Sequence, residues 1–366
     1  MRHYVITNRL LKNRNSFAKE GNNFSSTLHY GYADIDDATG EVTFDIIGED
    51  KHEEIDFNYS KIKTNASGLA SFFKELYHEM RNEEAVKSTK NDIMFFIHGY
   101  GHNVEKSMRF LAQLHRKYVL NKDSSVKKIV MFMWPSKAHH VVSYMKERND
   151  AEISGQILGK FYQRLKQFND QYAAVYEAGT ELKNRGFMHL LVQSMGNKVL
   201  QKMFQTIYYE EAYLHQSFKE IIMVGADLED NILQPGQPLE LLPQICARVH
   251  LYIHKGDFAL WISKLFNWIG AFRNRNPLGK FGPVNINEIN GKVKVVDVTK
   301  VEKFISYDND STKDFLDDNL IQHRYFMYST EVIEDITEVM RGIPSEKMKR
   351  DVKIEARWFT LPYSGN

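Results

Sequence analysis

A serine, two acids and a histidine lie at positions where they could form a catalytic triad. Ser194 occurs in Gln193-Ser194-Met195-Gly196-Asn197, between a short apolar run and a segment with helical periodicity. Asp227 and Asp257 each follow a later apolar run, and His323 follows the last one. A serine hydroxyl that a histidine activates, with an acid to orient the histidine, attacks carbonyl carbon atoms. These residue types in this order predict acyl-transfer chemistry.

The residues around Ser194 predict a sharp turn from a strand into a helix. Residues 187–192 are nearly all apolar, which is typical of a buried strand, and apolar residues then recur at helical spacing as far as Ile207. A serine at such a turn projects its hydroxyl above the sheet edge. The helix beneath it directs unpaired backbone N–H groups towards any charge that develops there. This is the geometry of a nucleophile elbow, G-x-S-x-G.

The elbow pattern is incomplete in this chain. Gly196 fills the second glycine position, where a side chain would crowd the turn, but Val192 occupies the first. A Ser-Met-Gly turn in which Ser194 only caps the helix would use the same residues. The motif alone supports both interpretations, so its context has to decide between them.

The surrounding chain predicts an α/β fold with a mostly parallel sheet. Continuously apolar strands that alternate with helices are typical of a sheet covered by helices on both faces. Strands are predicted at 93–97, 129–134, 187–192, 221–224, 249–253 and 293–298, and helices at 69–80, 104–119, 153–168 and 330–340. Shorter strand-like runs at 4–7 and 42–47 predict an antiparallel opening of the sheet.

Ligands of parallel α/β sheets bind beyond the carboxyl ends of the strands. His98-Gly99-Tyr100-Gly101-His102 follows the strand at 93–97, and its glycines allow backbone N–H groups to turn towards a common point. Ser194, the two aspartates and His323 follow later strands. Serine, acid and histidine in this chain order are the order of α/β-hydrolases.

The chain resembles the α/β-hydrolases of unknown function that are grouped as DUF900. Most of residues 1–340 takes part in the resemblance. Gln193 stands where the family commonly has histidine, and Gln322 where it commonly has glycine. The blocks that carry the resemblance are Ile6-Thr7-Asn8-Arg9, Phe96-Ile97-His98-Gly99-Tyr100, Trp134-Pro135-Ser136, Tyr144, Asp150-Ala151, Ser154, Gln193-Ser194-Met195-Gly196-Asn197, Ala226-Asp227, Asp230, Leu251-Tyr252, Asp257-Phe258-Ala259-Leu260 and His323-Arg324-Tyr325-Phe326.

The resemblance implies a single α/β-hydrolase domain with carboxylesterase- or lipase-like activity. Its expected parts are N-terminal strands and a helix at 1–88, a catalytic core at 89–340 and a C-terminal tail or edge piece at 341–366. Ser194 would attack an ester-type carbonyl, and His323 would move the proton to the leaving group. The N–H of Met195, with one from Gly99, Tyr100 or Gly101, would form the oxyanion hole.

The acid and the pocket are predicted with alternatives. Asp257 is favoured over Asp227, because a histidine after the last strand meets the end of the neighbouring strand most easily. Asp227 would then cap a helix or tie the loop beside the elbow. The predicted pocket residues are Gln193, Trp134, Trp261 and Trp268.

Three aromatic or histidine patterns also have simpler interpretations. Trp261, Leu265 and Trp268 share one face of a helix predicted at 258–272, for which core packing is favoured over a pocket wall or lid. His98 is expected to pack in its loop rather than act as a base. His139-His140 is expected to be a solvated pair rather than a metal site, because no third ligand cluster accompanies it.

The composition narrows the function further. The 366 residues carry 48 Lys and Arg against 47 Asp and Glu, so no global charge indicates a nucleic-acid partner. The single cysteine, Cys246, excludes an intramolecular disulfide. The N-terminal residues lack the apolar core of a signal peptide and no apolar run spans a bilayer, which predicts a cytoplasmic location. We expect a small ester-type substrate, with no cofactor and no metal. The competing class is a non-catalytic protein of this fold that binds a ligand or partner through the same cleft.

Overall fold

A computed structural model describes most of the chain. It covers residues 1–18, 24–50, 68–80, 90–136, 143–173, 186–209, 216–269, 275–301, 321–354 and 357–362, with only the backbone of residues 209, 266–269 and 321. His139 and His140 therefore lie outside the described residues, as does the side chain of Trp268.

The strands alternate with helices along most of the chain. The strands are β1 (Arg2–Arg9), β2 (Leu11–Asn13), β3 (Ser16–Phe17), β4 (Phe24–Ile35), β5 (Val42–Glu49), β6 (Asp92–Ile97), β7 (Val126–Met133), β8 (Met188–Gln193), β9 (Phe218–Val224), β10 (Cys246–Ile253), β11 (Val293–Asp297), β12 (Asp351–Ile354) and β13 (Trp358–Thr360). The helices are α1 (Gly68–Glu79), α2 (Val104–Leu114), α3 (Tyr144–Phe168), α4 (Gly196–Tyr209), α5 (Phe258–Ile269), α6 (Leu278–Phe281), α7 (Tyr325–Tyr328) and α8 (Thr330–Met340). A 3₁₀ turn, Ile321–His323, precedes α7.

Eleven of the described strands form one sheet, in the order β12-β13-β11-β10-β9-β8-β6-β7-β1-β4-β5. The strands from β13 to β1 in this order run parallel. Antiparallel pairs occur at both ends, with β4 and β5 beyond β1 and with β12 beyond β13. The predicted α/β class with a mostly parallel sheet is confirmed.

Two apolar layers cover the sheet, one on each face. Along β6, Ile93, Phe95 and Ile97 belong to one buried cluster, and Met94 and Phe96 belong to the other. The first cluster includes the apolar faces of α1, α3 and α4, and the second includes those of α2 and α8. Because successive side chains of a strand point to opposite faces, a strand buried on both faces reads as a continuous apolar run.

Several elements differ from their predicted limits. Helix α3 begins at Tyr144, nine residues before the predicted start at Ile153. The first turns contain charged side chains that are buried, so they lack the apolar periodicity from which the start is predicted. The predicted helix 104–119 is α-helical only to Leu114 and continues as a π-helical turn. The residues after 350 contribute β12 and β13 to the sheet edge. Within the described residues, no helix has the length and apolar character that a bilayer span requires.

Candidate active site

Ser194 lies at the strained turn between β8 and α4. Its φ angle is +51°, and it is the only non-glycine residue with positive φ in the described part of the chain. This conformation costs a residue with a side chain about 1 kcal/mol or more. The Ser194 N–H donates to Val224 O at 2.9 Å, and the Asn197 side chain donates to Ser194 O at 3.0 Å. Both ends of the strained residue are thus held by neighbouring structure.

Two glycines allow the loop after β6 to pack directly against this turn. A Cβ atom on Gly99 would lie 2.8 Å from Ser194 Cβ, and one on Gly196 would lie 2.6 Å from His98 O. Neither distance is compatible with a side chain. Val192 occupies the position of the first elbow glycine, and its side chain is completely buried in the apolar cluster on one face of the sheet. The turn therefore forms with valine at that position.

His323 is hydrogen-bonded to Asp257. Its Nδ1 lies 2.6 Å from Asp257 Oδ2, and both residues are buried. The other carboxylate oxygen, Oδ1, accepts the N–H of Leu260 at 2.9 Å and so caps α5. A carboxylate can only accept, so Nδ1 carries a proton, and in the neutral ring the Nε2 atom then has the lone pair that a general base needs.

Gly225 places the imidazole beside the elbow. It follows β9 with a φ angle of +51°, and a Cβ atom on it would lie 3.0 Å from His323 Cε1. Its N–H donates to the Tyr325 hydroxyl at 2.7 Å, and that hydroxyl donates to Tyr252 O at 3.0 Å. The preceding residue, Val224, accepts the N–H of Ser194. Serine and imidazole therefore flank the same strand end, although no hydrogen bond joins Ser194 Oγ to another described residue.

Asp227 belongs to a separate buried network on the other side of the elbow. Its carboxylate accepts hydrogen bonds from Tyr144 and, at 2.5 Å, from Ser263 Oγ of α5. Arg148 Nη1 lies 3.6 Å from this carboxylate. The backbone N–H of Asp227 donates to Ser194 O at 3.3 Å. Burial raises the pKa of the Tyr144 hydroxyl, which keeps Tyr144 a donor. These contacts tie the loop after β9 to α3 and α5, and none of them involves His323.

The N–H groups predicted for the oxyanion hole differ in their contacts. Met195 N–H, at the N-terminus of α4, has no hydrogen-bond acceptor among the described residues. Gly99 N–H makes only a long contact, 3.4 Å, with Gln193 Oε1. Gly101 N–H donates to Ser136 Oγ at 2.7 Å, and Ser136 in turn donates to Glu147 at 2.5 Å. The Gly101 N–H is thus already engaged by Ser136, and its part in an oxyanion hole stays a prediction.

An aromatic stack supports the loop from below. The rings of His98 and Trp134 lie 5.2 Å apart, and those of His98 and His102 lie 4.9 Å apart. The Trp134 indole donates to His98 O at 2.8 Å. Burial lowers the pKa of His98 to about 3, so the ring stays neutral. Arg9 donates to His102 O at 2.5 Å. Trp134 is completely buried beneath this loop, and its place in a substrate pocket stays a prediction.

The other predicted pocket residues have different environments. Gln193 is buried directly beneath the loop after β6. Trp261 and Leu265 are half exposed on the outer face of α5, so the prediction that they pack in the core is wrong. The side chain of Trp268, on the same predicted face, lies outside the described part of the chain.

Sequence reasoning missed Gly225 and the roles of Tyr325, Ser136 and Ser263. Tyr325 and Ser136 lie in blocks that carry the family resemblance, and this membership could have indicated that they have a role at the site. No feature of the sequence indicated Gly225 or Ser263, because their contacts join segments that are far apart in the chain. No group of three or more metal-binding side chains occurs in the described residues.

A model of the family described as α/β-hydrolases of unknown function (DUF900) matches residues 74–337. The chain belongs to the DUF900 family. This match confirms the family that the ordered blocks indicated. The comparisons with curated proteins and with solved structures gave no match. For a DUF900 protein the fold suggests hydrolysis, and the family itself carries no assigned reaction, so the function has to be argued from the site.

Proposed function

We propose that this DUF900 protein is a serine hydrolase that cleaves small ester-type substrates. Ser194 is the nucleophile, His323 the general base and acid, and Asp257 the residue that orients the imidazole. The observation that carries the proposal is the strained Ser194 at the start of α4 beside an Asp257–His323 pair with a 2.6 Å hydrogen bond. Strain of this kind is concentrated at functional sites.

The reaction would proceed through an acyl-enzyme. Ser194 Oγ attacks the carbonyl carbon while His323 Nε2 takes its proton, and Asp257 stabilises the imidazolium. The tetrahedral oxyanion is stabilised by Met195 N–H and by an N–H of Gly99 or Tyr100. His323 then gives the proton to the leaving alcohol. Water attacks the acyl-enzyme with the same base, and Ser194 is released with its proton restored.

Asp257 is proposed as the acid because of its contacts. Its Oδ2 is bonded to His323 Nδ1, whereas the carboxylate of Asp227 is surrounded by Tyr144, Ser263 and Arg148. A carboxylate that already accepts two hydroxyl hydrogen bonds on α3 and α5 is suited to holding the loop in place. We propose that role for Asp227.

The proposal is tested with a fluorophosphonate probe and peptide mapping. Folded protein should be labelled on Ser194, and Ser194→Ala should lose the label and about four orders of magnitude or more of ester turnover. Ser25→Ala, in the antiparallel part of the sheet, is the matched control and should be labelled like the unmodified chain. If the folded protein is not labelled and does not hydrolyse activated esters, the non-catalytic class replaces this proposal.

A further inference from the structure

The outer face of α5 is apolar and exposed. Phe258, Trp261 and Leu265 are 42%, 50% and 45% exposed. They are three and four residues apart, so they form one stripe along the helix, and the rings of Phe258 and Trp261 stack at 5.6 Å. The opposite face carries Leu260 and Ser263, which are buried. The helix thus rests on the protein by one side and presents large apolar side chains to water on the other.

Basic side chains border this stripe. Lys264 is exposed three residues after Trp261, and its ammonium group lies 5.7 Å from the ring centroid of Phe281. Phe281 is itself 42% exposed. Lys280 lies 5.8 Å from the same centroid, and its ammonium group donates to Lys255 O and to Asp257 O. We call Phe258, Trp261, Lys264, Leu265, Lys280 and Phe281 the α5 surface.

Three aspartates that the structure describes near the α5 surface are buried. Asp257 and Asp230 are buried, and Asp297 is buried and paired with Lys255 at 3.4 Å. Residues 258–287 contain no aspartate or glutamate, whereas they include Lys264, Arg273, Arg275 and Lys280. The whole chain has a balanced charge, but the segment 258–287, which contains the exposed aromatic side chains, carries only basic charges.

We propose that the α5 surface binds membranes or lipid aggregates that are rich in anionic lipid. Aromatic and leucine side chains enter the boundary between headgroups and acyl chains, while lysines remain at the phosphates. A second copy of the chain fits this surface less well, because it would bring lysines of like charge together around a small apolar area. Charge complementarity thus selects the anionic lipid.

The inner side of α5 connects this surface to the candidate active site. Asp257 caps the helix and is bonded to His323, and Ser263 donates to Asp227 beside the elbow. A lipid surface held against Phe258 and Trp261 would therefore lie one helix diameter or less from the proposed triad. If the proposed hydrolase function is correct, esters that reside in that surface are the substrates the site would meet.

The binding is tested with the Ser194→Ala protein, so that hydrolysis cannot alter the vesicles. It should sediment with vesicles of phosphatidylcholine and phosphatidylserine, and much less with phosphatidylcholine alone. Added salt should weaken the binding. Trp261→Ser should lower the partition coefficient about tenfold or more, and Lys264→Gln should lower it about fivefold. Val352→Ser removes a 61% exposed apolar side chain on edge strand β12 and should leave binding unchanged.

A second readout places the contact at Trp261. Acyl chains that carry bromine should quench tryptophan fluorescence on binding, and Trp261→Phe should remove most of that quenching. Thermal unfolding of each variant checks that the fold is intact. Equal binding to neutral and anionic vesicles would overturn the assignment, as would binding that Trp261→Ser does not weaken. Self-association of the protein that Trp261→Ser abolishes would overturn it as well, because the surface would then bind a second copy of the chain. None of these outcomes bears on labelling of Ser194, so the two proposals fail separately.

Discussion

Asp257 and Asp227 can be distinguished by exchanging each carboxylate for an amide. In Asp257→Asn the amide oxygen can still accept the Leu260 N–H, because asparagine caps helices as well as aspartate does. The amide nitrogen then faces His323 Nδ1 in place of Oδ2. Two N–H donors cannot face each other, so the imidazole changes tautomer, and Nε2 carries a proton when it should accept one from Ser194.

The two variants should therefore lose different properties. Asp257→Asn should lower turnover of an activated ester about ten thousandfold while the protein stays folded. Asp227→Asn removes the carboxylate charge that lies 3.6 Å from the buried Arg148 guanidinium and weakens two hydroxyl contacts, which should cost about 3 kcal/mol of unfolding free energy. With an unfolding entropy of about 2.1 cal/mol/K per residue, that loss lowers the melting temperature by about 4 °C.

The assay is ester turnover measured beside thermal unfolding for both variants. Turnover in Asp227→Asn should fall far less than in Asp257→Asn. If Asp227→Asn instead loses turnover by orders of magnitude and Asp257→Asn keeps it, the imidazole is not oriented by Asp257, and the assignment made from the 2.6 Å contact is refuted.

Three further changes test the surroundings of the site. Gly225→Ala introduces a side chain at positive φ and 3.0 Å from the imidazole, and should cut turnover about a hundredfold by displacing His323; near-normal turnover would contradict this. Tyr325→Phe leaves Gly225 N–H and Tyr252 O without their shared hydroxyl and should cost about 3 kcal/mol in denaturant unfolding; a loss below about 1 kcal/mol would show that other groups replace it. Burial lowers the pKa of His98 to about 3. Below about pH 6.5 the unfolded state therefore binds a proton at this residue and the folded state does not. The free energy of unfolding should then fall as the pH falls from that value, by about 1.4 kcal/mol per pH unit for His98. His98→Gln should show a correspondingly flatter decline between pH 6.5 and 5, and an unchanged slope would contradict the argument.

The sheet could be predicted from the sequence because its strands are buried on both faces. Such strands read as short apolar runs, and β6, β8 and β10 were found within a few residues of their limits. The start of α3 could not be found in this way. Its first turns contain Glu147 and Arg148, which are buried only because Ser136 and Asp227 supply partners from distant segments. Local periodicity contains no information about such partners.

At the site, too, features that depend on strand order were predictable, and features that depend on contacts between distant segments were not. Strand order predicts that a histidine after β11 meets the end of β10, and His323 does lie against Asp257 there. The environment of α5 was not predictable, since Trp261 and Leu265 give one apolar stripe whether it faces a core or water. Engagement of Gly101 by Ser136 also depends on a side chain from another loop.

The two C-terminal strands close one border of the sheet, with a consequence for shortened chains. Strand β11 is almost entirely buried, and β13 covers its hydrogen-bonding edge, while β12 outside it carries Asp351 and Lys353. Charged side chains on an outermost strand discourage pairing with other molecules. A chain cut before Asp351 would leave the backbone hydrogen-bonding groups of β11 unpaired at the border of the sheet. It should aggregate through that border even where its catalytic residues are all retained.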